Sequence, residues 1–364
     1  KIYPNGNVGC RRSLDIPGYA RAIAIGPENR VVVLSETGSR TIQIVIPPPQ
    51  KYDRFYLTTF TADGELLWEQ SFGGDSSRQI QCDTNNGDVA IDNQGNAIVA
   101  GSFNGTFETP LGAFQTSPIR NDIVFVKVEP NGTIVAAKHF DAPQSQYLYD
   151  LAIDGTNHAL AVVGENGSQS VMKLDESFSV VWTKGVSADA PVYSPKYVAI
   201  GADDKILLAG VFDGTDPAQP MKQWFPFLAQ WDAAGNQVSN KAFSESQVDG
   251  LSFAAKLSGE FVFGVDFSSP INLGGGTISN YETSNDSVLA RYSADGTYTA
   301  GAYVGGLGSQ YTTAIALTPQ GPTYWATHYW DSLTYGDQML VEPLPPDSQA
   351  MTRLQGTALF ALPP

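Results

Sequence analysis

The residues best suited to chemistry in this chain of 364 residues lie between 324 and 337, where Tyr324, Trp325, His328, Tyr329, Trp330 and Tyr335 stand close to Asp331 and Asp337. Aromatic faces beside carboxylates suit sugar rings, because axial hydrogens stack on aromatic carbon while the hydroxyls seek fixed acceptors. Trp325, His328, Tyr329, Trp330, Asp331, Tyr335 and Asp337 are therefore candidate ligand contacts. Trp224 joins them from a second aromatic group that includes Phe225 and Phe227. The same spacing also fits a core strand in which Tyr324 and alternate residues face inward and the loop packs over a central channel, and Phe227, which begins a strand, is expected in the core.

Two oxygen-rich runs could hold a metal. Asp83, Asn85 and Asp88 in one, with Asp213 and Asp216 in the other, are the candidate ligands, and calcium is the cofactor that such oxygens would select. Neither run has the downstream glutamate of an EF-hand, and Asp and Asn also populate turns with no metal present. The three histidines, His139, His158 and His328, lack zinc-ligand spacing, so no other cofactor is expected. The two cysteines, Cys10 and Cys82, are either a disulfide that pins the N-terminal segment or two separate thiols.

Catalytic motifs are missing. There is no nucleophile elbow, phosphate loop, HExxH or dinucleotide fingerprint. Paired carboxylates for glycoside cleavage could be assembled from distant loops, but among 37 acidic residues some such pair arises by chance. A net charge of −16 argues against nucleic acid and anionic membrane surfaces as partners. No apolar run approaches the length of a membrane span, and no signal segment is present, so Lys1 is expected to follow a removed segment or a cloning boundary.

The elements that must position these residues repeat. A strand, a tight turn and a second strand recur at 22–34, 89–101, 151–164, 198–210, 254–264 and 315–326. A third strand follows in each repeat, at Arg54–Phe60, Ile123–Val128, Ser170–Leu174, Phe227–Trp231, Ser287–Tyr292 and Thr357–Leu362. Five of these then turn, through runs such as Ala62-Asp63-Gly64 and Pro130-Asn131-Gly132, into an edge strand such as Leu66–Phe72 or Val180–Lys184. Asp-Gly and Asn-Gly supply the positive φ that tight hairpins demand. One such unit cannot bury both of its own faces, so the units must stack.

The sixth repeat lacks an edge strand, whereas residues 10–16 lie before the first inner strand with nothing to pair. The expected fold is all-β: a six-bladed β-propeller of four-stranded antiparallel blades, closed by the N-terminal strand completing the last blade. It spans 1–364 as a single domain, with blades near 18–74, 84–142, 146–187, 191–245, 248–305 and 310–364. The long connections fall at one end of the strands and the tight turns at the other, so function is expected on the long-loop face.

The stretches LLWEQSFGGDSS at 66–77, DVAIDNQGNAIVAGSFNGTFETPLGAFQT at 88–116 and NDIVFVKVEPNGTIV at 121–135 resemble the bacterial beta-propeller repeat family of secreted and cell-surface proteins. The likeness returns more weakly at 261–279 and 285–306, and the third, fourth and sixth repeats depart from it. It implies a propeller in an extracellular or cell-surface setting, and it implies no catalytic residues. The sequence thus leans toward a non-catalytic adhesion or binding propeller whose long-loop face recognises a glycan or an envelope or extracellular protein. The alternatives are a polysaccharide-acting hydrolase or lyase using carboxylates near a central channel, and a structural subunit of an envelope assembly.

Overall fold

A computed structural model describes residues 19–37, 53–75, 82–186, 193–214, 223–244, 246–281, 284–317, 322–335, 338–341 and 355–362. The chain divides into two compact units, Lys1–Gly185 and Val186–Pro364. Among the described residues the elements are strands, joined by turns and two three-residue 3-10 turns.

In the first unit, sheet one comprises β1 (Tyr19–Ile25), β2 (Val31–Glu36), β3 (Arg54–Phe60) and β4 (Leu66–Gly73). Sheet two comprises β5 (Cys82–Ile91), β6 (Ala97–Thr109), β7 (Gly112–Gln115), β8 (Asp122–Val128) and β9 (Ile134–Phe140). Sheet three comprises β10 (Gln146–Ile153), β11 (Ala159–Glu165), β12 (Ser168–Leu174) and β13 (Val180–Lys184). All pairings are antiparallel, and a single pair, Gly73 with Glu108, links the first two sheets.

The second unit repeats the plan. Sheet four has β14 (Tyr193–Ile200), β15 (Ile206–Gly214), β16 (Gln223–Trp231) and β17 (Gln237–Ala242). Sheet five has β18 (Gly250–Ala255) and β19 (Phe261–Phe267), a short ribbon of β20 (Ile271–Asn272) and β21 (Thr277–Ile278), then β22 (Asp286–Tyr292) and β23 (Tyr298–Val304). Sheet six has β24 (Gln310–Leu317) and β25 (Thr323–Trp330), a ribbon of β26 (Ser332–Tyr335) and β27 (Gln338–Val341), then β28 (Gln355–Leu362). Connections expected to be irregular loops are thus partly ordered: β6 runs on to Thr109 and returns as β7, and two others carry ribbons.

Sheets stack face to face, which explains the almost continuous apolar runs of the second and third strands. Val32, Leu34, Phe55 and Phe72 of sheet one meet Val99, Phe103 and Val124 of sheet two. The other face of sheet two offers Ile98, Ile123 and Phe125 to Leu148, Leu151, Met172 and Phe178 of sheet three. In the second unit Leu207 and Leu228 meet Phe263 and Val288, while Val262 and Leu289 meet Trp325, Ala358 and Leu362. Every residue of β8 is buried, whereas every residue of β17, an outer strand, is exposed.

The turns before the outer strands place glycine at one position, and Gly64, Gly132, Gly235 and Gly296 all have φ between 75° and 89°. Sheet three has Phe178 there instead, at φ 61°. The strain of a left-handed aromatic residue is offset by core packing: Phe178 is buried, with its ring 5.5 Å from Phe125.

A second device shapes the inner strands. The register slips between Ala20 and Ala22, Asn85 and Asp88, Leu148 and Asp150, Pro195 and Tyr197, and Thr312 and Ala314. β18 alone among the inner strands pairs without a slip. A bulge leaves residues unpaired and turns side chains toward new directions, which is why bulges gather at functional sites.

Candidate active site

Asp88 and Asp150 stand at one register position of neighbouring inner strands, each immediately after a bulge, opposite Ala100 and Val162 respectively. Both begin the same short motif, Asp88-Val89-Ala90-Ile91 and Asp150-Leu151-Ala152-Ile153. Asp88 Oδ1 accepts the Val89 amide at 2.7 Å, and its Oδ2 accepts the Leu151 amide of the next strand at 2.9 Å. Its carboxyl is also hydrogen-bonded to that of Asp150. Two adjacent charges would repel, which favours one proton on such a pair. Burial, the largest influence, pushes Asp88 above the ordinary carboxylate range, although the amides and the Asp150 carboxyl pull the other way.

The sheet three bulge is fixed from sheet two on both sides. The Leu148 amide donates to Ser102 Oγ at 2.9 Å, as the Leu151 amide does to Asp88, so the bulged Tyr149 is held between two anchors. Tyr147 and Tyr149 are each more than a third exposed. The Tyr149 ring lies across Gly164, where any Cβ would collide with it, and its hydroxyl accepts from Gln169 Nε2 at 3.3 Å. At the corresponding bulge of sheet one, Arg21 forms an ion pair with the buried Glu36. The inner edge of this unit thus combines a proton-sharing carboxyl pair, an arginine-held carboxylate and exposed tyrosine faces. Such a set can give and take protons beside a ring-shaped ligand.

The aromatic stretch of sheet six divides by strand alternation. Trp325 is wholly buried, with Nε1 donating to Thr312 Oγ1 at 3.1 Å and its ring 5.7 Å from Phe360, and Tyr329 is buried in the same cluster. Both are core residues, correcting their place among ligand contacts. His328 and Trp330 lie on the opposite face, partly exposed and 4.9 Å apart edge to face, with Tyr311 5.3 Å from Trp330. Asp331 follows with φ 62°. Tyr335 is on the separate ribbon, its ring against Phe360. Trp224 is exposed at the start of β16, paired with Asp213.

Asp83 and Asn85 lie in β5, with side chains outside the described residues, as are Asp216, Asp337 and the side chain of Cys82. Cys10 is likewise outside them. Asp88, expected as a metal ligand, accepts a backbone amide on each of its oxygens. Among the described residues no three His, Cys, Asp or Glu side chains gather as a metal cluster.

Asp150, Glu36, Arg21 and Ser102 escaped the reading of the sequence. The signal that could have found the central pair was the aspartate opening two of the six inner-strand repeats, where the others have Ala22, Tyr197, Ser252 and Ala314.

No protein-family model matches the chain, and no curated protein matches it. Solved structures do. The chain is similar to hydrazine synthase of Kuenenia stuttgartiensis (14% identity, TM-score 0.50, covering 88% of this chain and 79% of that one). It is also similar to an alpha-L-arabinofuranosidase of Fusarium graminearum in complex with an iminosugar inhibitor (10% identity, TM-score 0.50, covering 94% and 92%). A Hadza microbial sialidase gives 9% identity and a TM-score of 0.48, covering 85% and 62%. Such likeness establishes a propeller-like, all-β fold. It does not extend to the particular bacterial repeat family, which no family model supports. The expectation of a non-catalytic adhesion module is corrected here: an arabinofuranosidase, a glycoside hydrolase, is among the structures that share the fold.

Proposed function

We propose that the protein is a carbohydrate-acting hydrolase whose proton donor is the Asp88–Asp150 pair. The observation that carries this reading is the raised, proton-sharing Asp88 on a bulged inner strand. Enzymes hold an acid protonated near working pH by this kind of burial. The glycosidase that shares the fold at a TM-score of 0.50 lends support.

The pair would protonate the glycosidic oxygen as the C–O bond breaks. Its two carboxyls touch, whereas the two separate carboxylates of a retaining glycosidase stand about 5 Å apart, so the pair serves as one acid. The second carboxylate, which would attack the sugar or take the proton from water, is Glu36, at the end of the second strand of the preceding sheet and paired with Arg21. Tyr147 and Tyr149 would stack on the sugar.

The reading includes the finer architecture: six blades in a closed ring, the last completed by residues 10–16, in an extracellular or cell-surface protein. Release of reducing ends from a panel of arabinans, sialosides, pectins and glucans tests it. Turnover on at least one is expected, and inertness toward all of them would overturn the proposal.

A further inference from the structure

At the tight-turn ends of sheets two and three, a lysine on the third strand pairs with an aspartate in the turn between the first two strands. Lys127 lies 3.2 Å from Asp92, and Lys173 lies 2.8 Å from Asp154. Both lysines are nearly buried, and both pairs close a charge that would otherwise be stranded. In sheet five the corresponding strand position, the residue before Tyr292, is Arg291. The corresponding turn position is Lys256, whose amide bonds to Glu260 O as the Asp92 amide bonds to Asn96 O. The aspartate is thus replaced by a second cation. Lys256 has its own partner, Glu260 Oε2 at 2.8 Å. Arg291 has none: among the described residues its guanidinium makes no hydrogen bond or ion pair. Burial pushes it below its ordinary value, with Tyr335 and Glu260 opposing only through space.

The place left by the aspartate is open. A cavity of about 300 Å³ lies there, lined by the charged Lys256, Glu260 and Arg291, the polar Ser293, and the apolar Phe261 and Leu317. We propose that this cavity binds a small monocarboxylate, its carboxylate taking the place of the absent aspartate against Arg291. The charges of Lys256, Glu260 and Arg291 sum to one positive charge, which a single carboxylate neutralises, and a planar guanidinium matches a carboxylate with two parallel hydrogen bonds. The apolar wall suits a compact ring or short chain behind the acid group. The inference is independent of the site in the first unit.

Calorimetric titration of the full chain with benzoate, with D-glucuronate and inorganic phosphate in parallel, tests it. One saturable site for a carboxylate is expected, and phosphate should bind more weakly. Arg291→Gln should weaken binding by at least about tenfold, the loss of a charge-assisted hydrogen bond. Lys256→Asp should abolish binding while keeping the fold, because it recreates the Asp92–Lys127 arrangement. Absence of saturable carboxylate binding, binding that survives Lys256→Asp, or tighter binding of phosphate would each overturn the proposal.

Discussion

At the scale of single residues, Asp88 is defined by what surrounds it rather than by its own chemistry. Two backbone amides and a second carboxyl converge on it, and burial decides the sign by favouring the neutral acid. A folded-state pKa raised above the unfolded one gives a stability contribution that is present at low pH and lost as pH climbs through the raised value. The same sign applies to Asp266, which burial also raises although Ser287 Oγ donates to it at 2.6 Å. Asp150→Asn would replace an acid that pulls Asp88 down by a weaker amide donor, so Asp88 should ionise at higher pH. Carboxyl-carbon NMR titration is expected to show that upward move, and the alkaline limb of any pH–rate profile should follow it. Gly164→Val should displace the Tyr149 ring and raise KM more than it lowers kcat, provided the ring contacts substrate. Trp325 shows how far the sequence went: alternation along its strand was legible, but which face was core was not. That choice depends on Val262 and Leu289 of the preceding sheet, which no local pattern reveals.

At the scale of elements, turn chemistry made the strands readable. Asp175, Asp232 and Asp295 each accept amides two residues on, fixing the tight turns that the Gly, Asp and Asn clusters announced. The third strands lie within a few residues of where alternation placed them. The bulges were not legible, because a bulge is a property of two strands in register. Asp154 carries both roles at once. Burial alone would raise it, yet the Lys173 ammonium, Thr156 and the His158 amide outweigh that and hold it below the usual carboxylate range. Its contribution is therefore present above the unfolded pKa and lost as pH falls. Asp154→Ala should cost about 3 kcal/mol in urea denaturation at pH 7, because it leaves a buried lysine unpaired. The deficit should shrink toward pH 3. Phe178→Gly should relieve a left-handed backbone and still destabilise, by about 2 kcal/mol, because the lost ring leaves a cavity against Phe125.

At the scale of the whole molecule, stacking of sheets is what the repeats were read to require, and both units display it. Ring closure rests on residues 10–16, outside the described residues, and so belongs to the proposal. If they complete the last blade, a chain lacking residues 1–17 should unfold at lower temperature and self-associate through the exposed edge strand. No helix among the described residues is long and apolar enough to cross a membrane. The proposed shift from adhesion to hydrolysis shows where sequence reasoning stopped. Asp88 and Asp150 lie on different repeats and become neighbours only when two inner strands pack side by side. The most direct measurement is turnover of the best polysaccharide substrate by the wild-type chain, Asp88→Asn and Glu36→Gln, with circular dichroism to confirm folding. The account predicts that each folded variant loses at least about a hundredfold in kcat, the contribution of a positioned acid or base. Full turnover by folded Asp88→Asn would contradict it.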